Sequence, residues 1–259
     1  LPVIPVAAWP ARKDWADDRA VALAILDFGL FRVHANGRVI GIPGYLISTA
    51  SGRHILVDTG FPPAYAADAA LASARDGLGS FGEILRLTDA NLPEGQLATL
   101  GLTPADIALT ILTHGDIDHV GSLHRFTHAP ILIGQAERAL PRPRYFGSAQ
   151  PLGWPDADYL TITADTPLCA GLTVLYTPGH SPGHLSLLLD LPRTGRIVLA
   201  ADAISRPSEP DEGMKGSWDE AQALAQAHRL IALADAGMLV YGHCPAQWPM
   251  LRKAPDSYR

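Results

Sequence analysis

Residues 113–122, reading T-H-G-D-I-D-H-V-G-S, constrain this chain more than any other stretch. His114, Asp116, Asp118 and His119 pack two imidazoles and two carboxylates into a single turn-sized segment. They follow residues 107–112, I-A-L-T-I-L, an apolar run of strand length. Its branched side chains suit a strand buried on both faces. The cluster therefore begins where a central strand ends, with Gly115 to let the chain turn. Side chains at the carboxyl end of a buried strand sit on a rigid rim facing a crevice. Imidazole nitrogen and carboxylate oxygen suit zinc, iron or manganese. The competing reading is a solvated loop, since Asp and Gly are ordinary turn formers.

Three further stretches repeat the pattern of an apolar strand followed by a metal-competent residue. Residues 172–177 run into P-G-H-S-P-G-H, which holds His180 and His184. Residues 197–201 end at Asp202, and residues 238–241 end at Gly242-His243. One such coincidence is cheap, but three are not. His34, His54, His124, His128 and His228 fall away from strand ends and read as surface or structural residues.

A chain of 259 residues can bury one large core, and a single domain over residues 1–259 is expected. With a net charge of −6 it has no basic footprint for nucleic acid. No stretch approaches the roughly 20 apolar residues of a membrane helix. The start, L-P-V-I-P-V, has no basic region and no long apolar region of a leader, and cytoplasm is the default expectation; it also lacks an initiator Met, which leaves a leader trimmed before Leu1 open. Cys169 and Cys244 form neither a metal-binding pair by spacing nor a disulfide framework.

Residues 1–20 read as an irregular arm and 21–33 as one or two strands. Residues 45–49 and 54–58 flank a turn and read as a hairpin. An Ala-rich helix is expected over 64–74, and Thr103 with Pro104 signals a short capped helix. Further strands are expected at 129–134, 159–163, 172–177, 185–190, 196–200 and 238–241, with helical segments at 135–140 and 219–234. Strands outnumber helices, which predicts sheets packed in the middle with helices outside. Residues 141–159 break the pattern, interleaving Pro141, Pro143, Pro151 and Pro155 with Tyr145, Phe146 and Trp154. They read either as a loop covering the site or as a surface excursion.

Together H-x-D-x-D-H at 114–119, P-G-H-S-P-G-H, Asp202, His243 and Asp58-Thr59-Gly60 resemble the metallo-β-lactamase superfamily. Its mark is H-x-H-x-D-H followed by a His, an Asp and a final His. The resemblance covers residues 44–245, and the spacings are most similar to those of the N-acyl homoserine lactonases. It implies an α/β (α+β) fold, a four-layer αββα sandwich with a binuclear metal site at the edge between two sheets. By the resemblance His114 and His180 hold one metal, Asp118, His119 and His243 the other, and Asp202 bridges both. Asp58 stands behind the ligands and orients them, and His184 hydrogen-bonds backbone beside the site.

Two positions depart from the family pattern. Asp116 occupies the place of the second His, and a carboxylate there would leave a metal-bound water less acidic. It also tilts preference toward iron or manganese, although two zinc ions are the first expectation. Ser205 stands where the homoserine lactonases carry a Tyr that supports the reacting carbonyl. The implied activity is a metallohydrolase in which a hydroxide bridging two metals attacks a lactone or carboxylic ester. Asp118 or Asp202 would carry the proton to the leaving group. Tyr145, Phe146, Trp154 and Ser205 would border the substrate. Thioesters, phosphodiesters and β-lactams stay open as substrates. So does a diiron redox protein of the flavodiiron type without its flavodoxin domain, since those proteins carry a carboxylate at the position of Asp116. The expected partner is a small-molecule substrate, without nucleic acid or membrane, and a homodimer is left open.

Overall fold

The computed structural model describes residues 3–144 and 150–259. One sheet contains β1 (Val3–Pro5), β2 (Ala20–Val33), β3 (Val39–Thr49), β4 (His54–Val57), β5 (Gly82–Arg86), β6 (Ile107–Ile111), β7 (Ile131–Gly134) and β8 (Tyr159–Ile162). Its order is β1-β8-β7-β6-β4-β3-β2-β5. The second contains β9 (Thr166–Cys169), β10 (Leu172–Tyr176), β11 (Leu185–Leu191), β12 (Gly195–Ala201) and β13 (Met238–Tyr241), in the order β13-β12-β11-β10-β9. The helices are α1 (Arg12–Ala16), α2 (Ala64–Ala67), α3 (Ala69–Asp76), α4 (Pro93–Thr99), α5 (Ile117–Val120), α6 (Gln135–Arg138) and α7 (Glu220–Leu233).

Strand periodicity builds the layers. Successive strand side chains point to opposite faces. Leu23, Ile25, Ile47, Ile55, Leu109 and Ile111 therefore enter the core between the sheets, where they meet Val174, Leu187 and Leu199. Their neighbours Ala24, Leu26, Leu46 and Leu56 face the other way, against Tyr65, Ala72 and Leu97 of α2, α3 and α4. On the far side Val198 and Ala200 pack against Ala223, Ala227 and Leu230 of α7, whose spacing marks one helical face. The result is helix, sheet, sheet, helix. No helix among the described residues is long and apolar enough to cross a membrane.

The N-terminal arm is not irregular. β1 adds to the sheet edge in parallel with β8, and α1 buries Trp15. Val6 and Trp15 join the core between the sheets, and this tertiary burial orders a segment with no periodicity of its own. The expected helix over 64–74 is two helices, because Asp68 turns extended (φ −155°) and caps α3 by accepting from Leu71 N. β5 had no alternation to announce it.

The ends of β4, β6, β10, β12 and β13 converge on one rim, where Leu185 N donates to Thr113 O at 2.8 Å and ties the two sheets together.

Candidate metal centre

The residues singled out at strand ends meet at this rim. Asp202 lies between two sets of donors. Its Oδ2 is 3.9 Å from His114 Nε2 and 3.8 Å from His180 Nε2. Its Oδ1 is 3.6 Å from His119 Nε2 and 3.1 Å from His243 Nε2. Asp116 Oδ2 stands 3.4 Å from both His114 and His180 Nε2, completing the first set. Asp118 Oδ2 stands 3.6 Å from both His119 and His243 Nε2, completing the second. Donor atoms about 2.1 Å from a common tetrahedral ion lie roughly 3.4 Å from one another, so both sets have the dimensions of a metal site.

Hydrogen bonds behind the rings prepare them for that task. His119 Nδ1 faces Asp58 Oδ2 at 2.8 Å, so it donates and leaves Nε2 with a lone pair. Thr113 gives its hydroxyl proton to Asp58 Oδ2 at 2.7 Å and its N–H to Oδ1 at 2.8 Å. The Thr113 oxygen is then free to accept from His114 Nδ1 at 3.0 Å. His243 Nδ1 donates to Gly41 O at 2.9 Å. His180 is held through its carbonyl, which accepts from Trp218 N and from Arg144 Nη1. The inward atoms His114 Nε2, His119 Nε2, Asp118 Oδ1 and Asp202 Oδ1 are buried without hydrogen-bond partners among the described residues. Buried acceptors left unpartnered in this way are rare unless something else satisfies them.

Charge points the same way. Asp58, Asp116, Asp118 and Asp202 are all buried, and four desolvated carboxylates require cations or protons. Without a metal the protons go to the rings. Burial alone would lower His243, but Asp202 and Asp118 push it up to about 9. His119 is driven well above the ordinary range, against its own burial, by Asp118, Asp58 and Asp202. A metal taking these Nε2 lone pairs would displace those protons, so uptake should release acid. The residues fit a pair of divalent cations.

Backbone strain sits beside two of the carboxylates. Asp58 has φ 61° and Ala201, just before Asp202, has φ 46°, a left-handed conformation uncommon for non-glycine residues. Gly115 is needed for a reason other than the expected turn. Its φ is not left-handed, but a Cβ there would press on Glu137 Oε1 at 3.0 Å and Arg144 N at 3.1 Å.

Glu137 was not foreseen, although it too follows a strand end. It is fully buried; Oε1 accepts from Gly115 N at 2.9 Å, and Oε2 accepts from Ser181 Oγ at 2.7 Å and Gly183 N at 3.1 Å. One carboxylate thus joins the loop of His114 and Asp116 to the loop of His180. His184 bonds a side chain, Thr177 Oγ1 at 2.9 Å, rather than backbone as expected for its ring. Thr177 continues to Ser186 Oγ, which donates to Ala200 O. That order has His184 Nδ1 donating. Burial, together with His114 and His180, keeps the ring neutral by lowering its pKa well below the usual value.

A cavity of about 310 Å³ opens onto Asp118, His180, Asp202 and His243. Ser205 lines it, with Phe31, Ile40 and Phe61 forming apolar wall. Trp154 is not among the described residues lining it. Its Nε1 donates to Leu140 O at 2.8 Å and its ring lies under Arg138, because the amphipathic indole finds both an acceptor and apolar packing beside the cluster of Leu112, Val120 and Tyr159. Tyr145 and Phe146 lie outside the described residues. From the 141–159 stretch, Arg144 reaches the centre through the His180 carbonyl.

Asp58→Asn keeps shape and removes the charge that fixes the His119 tautomer. It is expected to weaken metal binding by about 10- to 100-fold, read by competition with a chromogenic chelator. Unchanged affinity would mean that Asp58 only braces Thr113.

Fold and site define a class: a two-sheet α/β protein with donor sets for two metal ions at the rim where the sheets meet. The chain belongs to the metallo-β-lactamase superfamily, which it matches over residues 39–243. It is 32% identical over 232 residues to the N-acyl homoserine lactonase AiiA of Bacillus thuringiensis subsp. kurstaki, covering 85% of this chain and 88% of that one. It is 28% identical over 243 residues to the N-acyl homoserine lactonase AttM of Azorhizobium caulinodans, with the same coverage of 85% and 88%. A solved N-acyl homoserine lactone hydrolase, with the product N-hexanoyl-L-homoserine at its catalytic metal centre, superposes with a TM-score of 0.79. That structure is 27% identical, covering 93% of this chain and 100% of the other.

Proposed function

We propose that the protein is a metallohydrolase, acting as a single unit, that adds water to the carbonyl of a lactone, with linear carboxylic esters as secondary substrates. One observation carries this reading. The two oxygens of Asp202 face different donor sets, so a single carboxylate serves both. His114, Asp116 and His180 would hold one divalent cation, Asp118, His119 and His243 the other, and Asp202 both. Bound there, the cations supply a water of lowered pKa and a polarised carbonyl. We assign zinc first; the harder Asp116 side is where iron or manganese would be accepted more readily.

The chain's own residues do the rest. Asp58, Thr113 and Gly41 hold the rings in the tautomer that points Nε2 inward. Phe31, Ile40 and Phe61 receive the apolar part of the substrate and exclude water. Asp118 Oδ1 has no hydrogen-bond partner among the described residues and is placed to take a proton as water adds. It returns that proton to the ring oxygen as the acyl carbon–oxygen bond breaks, leaving a hydroxy acid. Ser205 offers a hydroxyl to the substrate from the cavity wall. Cys169 and Cys244 are buried and free, in keeping with a reducing cytoplasm.

The test is a lactone and ester hydrolysis screen on protein stripped by chelation and reloaded separately with zinc, manganese and iron(II). Reloaded protein is expected to bind two metal equivalents and hydrolyse lactones, and stripped protein to do neither. His243→Ala should lose one equivalent and most turnover, whereas His228→Ala, exposed on α7, should lose neither. Two metals with no hydrolysis, or identical behaviour of the two variants, would overturn the reading. Oxygen consumption by the iron-loaded protein would instead favour redox chemistry at the Asp116 side.

A further inference from the structure

Arg38 lies in the wall of the same cavity, near the exposed Lys215. Its Nε and Nη1 are shielded from solvent, and neither has a hydrogen-bond partner among the described residues. Buried guanidinium donors without acceptors are costly, and Arg is rarely left so. The acids that act on it are engaged elsewhere. Glu209 Oε1 meets Arg206 Nη1 at 3.3 Å, while Glu212 contacts Arg206 Nη2 and accepts from Ser208 Oγ at 2.8 Å. Arg206 and burial both work against the charge on Arg38. In a chain of net charge −6, two cations on one cavity stand against the background.

The neighbouring surface is apolar. Phe31, Ile40 and Phe61 are buried around the cavity, which lowers the local dielectric and strengthens attraction between Arg38 and an anion. A planar guanidinium also matches the two oxygens of a carboxylate. A neutral acyl chain would fill the apolar wall but leave the Arg38 donors unmet.

We infer that Arg38, assisted by Lys215, forms an anion-recognising subsite, and that the substrate opened at the adjoining centre carries a carboxylate on an apolar body. The statement about which bond is cleaved rests on the hydrolase reading; the subsite itself does not.

The experiment is calorimetric titration of the zinc-loaded protein with 1-hexanesulfonate and with 1-hexanol. A sulfonate keeps the delocalised anion but is a poor metal ligand, so binding reports the arginine rather than the centre. Wild type is expected to bind hexanesulfonate on the order of 10- to 100-fold more tightly than hexanol, the span supplied by hydrogen bonds to a charged group. Arg38→Met, which keeps an apolar stem, should lose that advantage with metal content unchanged. Arg38→Lys keeps the cation and should bind between the two, which preserves the test if the Met variant does not fold. Equal binding of the two probes by wild type, or wild-type affinity for the sulfonate in both variants, would overturn the subsite. A failed lactone screen with Arg38-dependent sulfonate binding would sink the hydrolase reading and leave the subsite standing.

Discussion

Asp202→Asn is expected to lose about one metal equivalent and on the order of 10²- to 10³-fold in kcat/KM, the scale of removing one preorganised electrostatic group. The geometry makes Asp202 the most exposed point of failure in the site. Its Oδ1 faces His119 and His243, and its Oδ2 faces His114 and His180. An amide keeps one acceptor oxygen and replaces the other with an NH₂ that cannot donate electrons to a cation. The substitution also removes one of four buried negative charges, so the remaining donors neutralise two dications less well. Shape is conserved, and the left-handed Ala201 that aims the side chain is untouched. A melting temperature close to wild type would therefore separate loss of the shared ligand from loss of the fold. Elemental analysis showing two retained metals, with near-normal turnover, would sink the assignment.

Glu137→Gln is expected to destabilise the protein by about 2–3 kcal/mol, the scale of hydrogen bonds to a buried charged group. For a chain of this size that corresponds to a fall in Tm of roughly 4–12 °C. Gln fills the same space, so no water replaces the lost oxygen. Its NH₂ must face either Gly115 N–H or the donors Ser181 Oγ–H and Gly183 N–H, because Glu137 accepts on both sides. The packing cannot relax easily, since a Cβ on Gly183 would already lie 2.3 Å from Glu137 N. The second readout is metal affinity. Glu137 joins the loops of His114 and His180, so the cation on that side should weaken more than the one at Asp118, His119 and His243. Unchanged melting and two unchanged affinities would reduce Glu137 to a filler of space.

The sequence by itself determined the strand-end positions. Ile107–Ile111, Leu172–Tyr176, Gly195–Ala201 and Met238–Tyr241 form strands, as local hydrophobic patterning predicts, and a ligand-competent residue directly after a strand is a local feature too. That is why Asp58, His114, Asp116, Asp118, His119, His180, Asp202 and His243 were all legible before they met in space. Only the tertiary structure decided the rest. β1 and β5 are short edge strands whose order comes from pairing with β8 and β2, a long-range interaction with no local pattern. Trp154 carries the composition of a substrate wall, but only the fold decides that its indole N–H meets Leu140 O and its ring lies under Arg138. Glu137 and Arg38 look like ordinary surface charges in sequence. Their meaning depends on what the packing leaves beside them: three donors converging on Glu137, and no acceptor at all among the described residues for the buried nitrogens of Arg38. Burial and hydrogen-bond satisfaction are properties of the assembled neighbourhood, and sequence patterning reports only the element on which a residue rides.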